Sequence, residues 1–178
     1  FDFSNVKEFT VEAGRPDSIT RDKLMTLKKQ NVSRISINPQ SMQQKTLDVI
    51  GRKHTVEEIK EAYALARKTG FDNINMDIIA GLPGEDISDM EDTLAQIAQM
   101  HPDSLTVHSL AIKRAARMEM EDLNRDAKET HEILSGMIER AAKAAKEMDL
   151  FPYYLYRQKN IAGNFENVGY EHLDRKSV

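Results

Sequence analysis

Short runs of strand character alternate along this chain with segments of helical periodicity, and that order limits the fold more than any other feature. "EFTVEAG" (8–14) sets Phe9, Val11 and Ala13 against Thr10 and Glu12, which predicts a strand. A helix follows over 18–32, with Ile19, Leu24, Leu27 and Met25 on its apolar side. "RISINPQS" (34–41) reads as a second strand stopped by Pro39, and a short helix over 43–50 closes at Gly51. Thr55 and Glu58 form a Thr-x-x-Glu capping box, and the helix they open ends where Gly70 stands. "FDNINMDIIAG" (71–81) predicts a third strand, and Ser88 with Glu91 a second capping box for a helix reaching Met100. "DSLTVHSLAI" (103–112), a long helix over 126–148 and "PYYLYRQ" (152–158) complete the pattern, and the remaining tail reads as polar and irregular.

Such alternation implies parallel strands joined by right-handed crossovers. In sheets of this kind ligands bind beyond the carboxyl ends of the strands. Four candidate ends follow: Glu12–Pro16, Asn38–Ser41, Asp77–Glu85 and Ser109–Lys113. Asp77 is the most informative, because a carboxylate inside an apolar strand is costly unless it is hydrogen-bonded or paired. The "GLPG" turn after it is no phosphate loop, since GxxxxGK[ST] is absent.

Composition narrows the function. There is no cysteine, so disulfides, zinc–thiolate sites and cysteine-ligated clusters are excluded for this chain. The five histidines show no short metal spacing, and no metal ligand is assigned. A formal charge of -4 argues against a nucleic-acid partner, and no apolar run reaches the about 18 residues of a membrane span. With no leader-like segment at its start, the chain is expected to be cytoplasmic.

Read together, "FTVEAGRPDSIT", "RISINPQS", "LDVIGRKHT", "NINMDIIAGLPGE", "DSLTVHSLAIKR" and "YYLYRQKN" with "ENVGY" resemble the radical S-adenosylmethionine (SAM) enzymes of the oxygen-independent coproporphyrinogen III oxidase group. The resemblance spans residues 8 to about 170. It implies an α/β fold, a partial (β/α) TIM-like barrel of parallel strands made from the later βα units of a radical SAM barrel. Residues 1–150 would form the partial barrel, and 151–178 a C-terminal strand and tail.

The resemblance also implies cofactors, SAM and a [4Fe–4S] cluster, the latter held in the parent protein by a CxxxCxxC segment this chain lacks. It implies that Glu12, Gln40, Arg52, Asp77, Gly81 and Ala111 contact SAM. A guanidinium such as Arg52 suits a carboxylate. The parent would oxidatively decarboxylate coproporphyrinogen III to protoporphyrinogen IX, a tetrapyrrole reaction of haem biosynthesis, while the isolated chain would be inactive. Haem binding and delivery, known in the same superfamily, is the alternative. Unclosed strand edges would favour self-association of the isolated chain.

A purely structural reading stands beside each residue. Glu12 has Arg15 as a nearby partner, Gln40 follows a turn proline, and Arg52 sits at a helix end where it offsets the last carbonyls. Gly81 and Gly84 suit positive φ. His108 alternates with Thr106 and so points to the barrel interior, where a core histidine is the simpler reading. Met118, Met120, Met137 and Met148 read as core filler, "KRAAR" (113–117) as a solvated basic loop, and "YYLYRQ" as either a tetrapyrrole surface or a buried edge.

Overall fold

The structure, a computed structural model, describes residues 5–110, 127–156 and 167–173. Six strands form one sheet: β1 (Thr10–Gly14), β2 (Arg34–Gln40), β3 (Ile74–Ala80), β4 (Ser104–Ser109), β5 (Phe151–Tyr156) and β6 (Asn167–Glu171). Their order is β1-β2-β3-β4-β6-β5. The first four are parallel, as strand–helix–strand alternation requires, and β6 is antiparallel to both β4 and β5. The long helices are α1 (Arg21–Lys29), α3 (Val56–Lys68), α4 (Ile87–Met100) and α5 (Ala127–Glu147), with the short α2 (Gln44–Val49) after β2. No described helix is long and apolar enough to cross a membrane.

Period-two patterning gives the sheet two unlike faces. Ile35, Ile37, Ile74, Met76, Ile78, Ala80, Leu105 and Val107 point one way and join one core with Leu24, Ile59, Leu94, Leu134 and Met137 from the helices. Arg34, Ser36, Asn75, Asp77, Ser104 and Glu171 are buried polar residues on the other side, while the buried Gln40, beyond the β2 register shift, pairs with Ile78. That face is concave: Arg34 on β2 reaches both Glu171 on β6 and Tyr153 on β5, strands far apart in sheet order.

Local expectations need several corrections. Pro39 does not stop β2, which continues to Gln40; the β2–β3 register shifts between Ile37 and Gln40, and a bulge tolerates a residue without an N–H. The box opening α4 is Asp86 with Asp89, not Ser88 with Glu91: the Asp86 side chain accepts from the Ser88 and Asp89 amides, and Asp89 accepts from the Asp86 amide. The Thr55–Glu58 box opens α3 as read. Met25 is exposed on α1, whose buried residue is Leu24. The tail contains β6, inserted between β4 and β5. Asn167 and Gly169 carry little strand propensity; cross-strand bonding specifies them instead, including the Ser109 amide donating to Asn167 Oδ1 at 3.0 Å.

Candidate site at the carboxyl ends of the strands

Asp77 is the centre of a hydrogen-bonded row across the concave face. Ser36 Oγ donates to Asp77 Oδ2 at 3.1 Å, and Asn75 Nδ2 donates to Asp77 Oδ1 at 2.6 Å. Asn75 Nδ2 also lies 2.9 Å from Ser36 Oγ, and Thr106 Oγ1 donates to Asn75 Oδ1 at 3.1 Å. Three adjacent strands therefore meet the requirement that a buried carboxylate be bonded. Their signal lies in the sequence: polar residues recur at every second position, as Arg34, Ser36, Asn38 and Gln40 and as Asn75 and Asp77. Ser36, Asn75 and Thr106 were not singled out from the sequence, because each reads alone as an ordinary strand residue.

Glu12 extends this row to the sheet edge. It pairs in register with Ser36, so Ser36 stands between the Glu12 and Asp77 strands, and strand spacing puts the two carboxyl groups roughly 10 Å apart. Glu12 is exposed and makes no hydrogen bond or ion pair among the described residues; Arg15 pairs with Asp17 at 3.3 Å instead.

Gln40 ends β2 with φ 70°, a left-handed conformation unusual for a residue other than glycine. The chain holds it there. The next residue, Ser41, donates to the Glu85 carboxyl at 2.5 Å and accepts from the Gln43 amide, while Thr93 Oγ1 on α4 accepts from the Met42 amide. Burial pushes the Glu85 carboxyl above its ordinary pKa, against the opposing pull of the Ser41 hydrogen bond. Glu85 closes the turn after β3, so one buried carboxyl ties two strand-end loops together. It too escaped the sequence reading.

Arg52 follows α2, with its backbone amide bonded to the Leu47 carbonyl. The residue is half-buried, and its guanidinium makes no hydrogen bond or salt bridge among the described residues. Beside it His54 is fully buried, and burial lowers its pKa.

Gly81 differs from the rest. Its φ is 84°, and a Cβ there would stand 3.1 Å from Leu134 Cδ1 on α5; its amide approaches Met137 Sδ at 3.3 Å. Packing on a helix accounts for this glycine. His108 shares the concave face with Thr106 and is neither fully buried nor hydrogen-bonded among the described residues. Ala111, Met118, Met120 and the 113–117 cluster lie outside the described residues.

The site is thus a concave polar face of a mostly parallel α/β sheet, and the fold class is that of a radical SAM barrel. Residues 5–97 match the Radical SAM superfamily, and the chain belongs to it. It is 50% identical over 177 residues to the oxygen-independent coproporphyrinogen-III oxidase-like protein HemZ of Bacillus subtilis, covering 99% of this chain and 35% of that protein. It is 33% identical over 110 residues to the heme chaperone HemW of the same organism, covering 62% of this chain and 29% of that protein. The structure of coproporphyrinogen III oxidase HemN from Escherichia coli superposes with a TM-score of 0.72 at 18% identity, over 95% of this chain and 36% of that one. The chain spans about a third of the length of these relatives. Family membership implies SAM and a [4Fe–4S] cluster as cofactors of the parent protein.

Proposed function

We propose that the full-length protein is a radical SAM oxidoreductase that oxidatively decarboxylates coproporphyrinogen III to protoporphyrinogen IX. The observation that carries this reading is a bonded polar row on the concave face of a chain half identical to an oxidase-like relative. When bound, the SAM and cluster pair supplies one-electron hydrogen-abstraction chemistry, and the protein orients the reactants and excludes water.

The residues suit a ligand with the functional groups of SAM. Arg52 is a half-buried residue whose guanidinium has no acceptor among the described residues, a match for a carboxylate. Glu12 is an acceptor with no donor among the described residues, fit for an ammonium or sugar hydroxyls. Gln40 presents a carboxamide whose only bond among the described residues is a long one, 3.5 Å from Nε2 to the Asn38 carbonyl. Asp77 has both oxygens engaged and acts through the row it organises. These four position the cofactor rather than move protons. Gly81 supports the turn through α5, and Ala111 stays assigned to the cofactor on the family resemblance alone. The chain contains no cysteine, so the thiolates that hold the cluster would come from elsewhere in the parent, and the isolated chain is inactive.

The test is anaerobic reconstitution of the full-length protein with iron, sulfide and a reductant. Cleavage of SAM together with vinyl formation on coproporphyrinogen III supports the reading, and SAM left intact sinks it. The 33% identity to a heme chaperone favours one second reading, haem binding and delivery. Haem bound with a shifted Soret band, with no decarboxylation, would select it.

A further inference from the structure

We propose that Tyr154 and Tyr156 of β5 form an aromatic platform against which the pyrrole rings of a tetrapyrrole pack. The inference rests on the tetrapyrrole reading above and assigns a place to the ring.

The strand is unusual for what it leaves in water. Tyr154 is 50% exposed and Tyr156 48%, and the two rings are parallel, 6.5 Å between centroids and 4° between planes. Register fixes which way the rings point. Tyr154 pairs with Gly169 and Tyr156 with Asn167; Gly169 in turn pairs with Thr106, which pairs with Asp77. Residues paired across strands share a face, so both tyrosines stand on the concave side that carries the Asp77 row. Three strand steps separate β3 from β5, about 14 Å along the sheet before its curvature shortens the gap.

The glycine between them makes the wall continuous. A Cβ on Gly169 would fall 2.9 Å from the Tyr153 ring and 3.2 Å from Tyr154 Cβ, so its lack of a side chain lets the tyrosine strand lie close over β6. Tyr153 is occupied already, its hydroxyl accepting from Arg34. Tyr154 and Tyr156 have no hydrogen-bond partner among the described residues, and their ring faces are what they offer. The concave face therefore has a polar side, Glu12 to Asp77, and an aromatic side on β5. A macrocycle of four apolar pyrrole rings with polar substituents matches the aromatic side, leaving the polar side for the cofactor.

The experiment titrates coproporphyrin III, the flat conjugated form of the ring system, into the full-length protein and reads fluorescence anisotropy. The Y154A/Y156A pair is compared with Y154F/Y156F, and thermal melting of each reports the fold. The expected result is binding by the natural sequence, a loss of about tenfold or more in the alanine pair, and affinity within about threefold in the phenylalanine pair. Unchanged affinity in the alanine pair overturns the platform and leaves the tetrapyrrole reading standing. A phenylalanine pair as weak as the alanine pair overturns the assignment to ring faces. No coproporphyrin binding by the natural sequence overturns the platform, while the reading it rests on stands or falls with SAM cleavage and vinyl formation on coproporphyrinogen III. Should the alanine pair melt early, Y156A alone, at the outer end of the strand, carries the same comparison.

Discussion

Arg34 Nη2 lies 3.0 Å from the Tyr153 hydroxyl and 2.9 Å from Ser104 Oγ, joining β2, β4 and β5 across the hollow of the sheet. The same guanidinium faces Glu8 at 3.4 Å and the fully buried Glu171 at 3.9 Å. The cluster sits at the amino-terminal ends of β2, β4 and β5, opposite the candidate site, where barrel residues serve stability rather than chemistry. Arg34→Ala takes the cation away from a buried carboxylate and is expected to cost about 3 kcal/mol or more. Tyr153→Phe removes one hydrogen bond and is expected to cost about 1 kcal/mol. Urea unfolding of both variants checks the order; equal losses would mean that the guanidinium is not the keystone.

Gly169 lets β5 close on β6. A methyl group there meets the Tyr153 ring at 2.9 Å, so either the ring shifts and loosens its bond to Arg34 or the strands part. Gly169→Ala is expected to destabilise by about 1–3 kcal/mol. Pairing it with Tyr153→Ala, which empties the space, is expected to recover part of that loss. Additive losses in the double variant would show the ring is not what the methyl group meets.

Strong local rules made much of this arrangement readable in advance. The Thr55 box, the Gly70 stop and the β-type runs at 34–41 and 71–81 each rest on spacing within a few residues, and each stands in the fold. What failed depends on partners distant in sequence. Pro39 looks like a strand stop until the bulge beside it removes the need for its N–H. Asp86 was passed over for Ser88 because both are good caps and only the backbone path decides between them. β6 is only five residues long, with Val168 and Tyr170 its only apolar side chains beside the weak strand formers Asn167 and Gly169, and its register comes from β4 and β5. Asp77 was legible as an anomaly, but its partners Ser36 and Thr106 lie on other strands. Glu85 became a clamp only when folding brought Ser41 to it.

Glu85 gives a pH dependence of defined sign. Its folded pKa is raised above the unfolded one, chiefly by burial, so the folded state holds the proton more tightly. Its contribution to stability is complete below the ordinary glutamate range and is lost as pH rises through the folded pKa. Glu85→Gln keeps an acceptor for Ser41 and abolishes the titration. The difference in unfolding free energy between variant and natural sequence is expected to shift in favour of the variant as pH rises from about 4. Denaturant midpoints measured from pH 4 to 8 test it, and parallel curves would remove Glu85 from the account.

The Asp77 row predicts separable effects on fold and cofactor. Ser36→Ala removes one donor to Asp77 and is expected to cost about 1 kcal/mol, and by loosening the row to lower SAM affinity of the full-length protein less than the loss of Arg52 does. Arg52→Met removes no polar partner among the described residues, so stability is expected to hold while SAM affinity falls about tenfold or more. Calorimetric SAM titration beside a melting curve gives both quantities; a stability loss without an affinity loss at Arg52 would return it to a helix-end role.

The β1 edge sets the behaviour of the chain alone. β1 pairs with β2 only, leaving its other edge unpaired in the sheet. Beside it, between β1 and α1, lies an apolar groove of about 420 Å³ lined by Val11, Ala13, Ile19, Leu24 and Leu27. Unpaired backbone next to uncovered apolar surface is a template for another strand. The isolated chain is therefore expected to self-associate in sedimentation runs as concentration rises. Val11→Lys, on the groove side of β1, is expected to suppress that association by placing a charge in the groove. A chain that stays monomeric at every concentration, or a lysine variant that associates as before, would move the sticky surface elsewhere, with the exposed Leu155 on β5 the next place to put the charge.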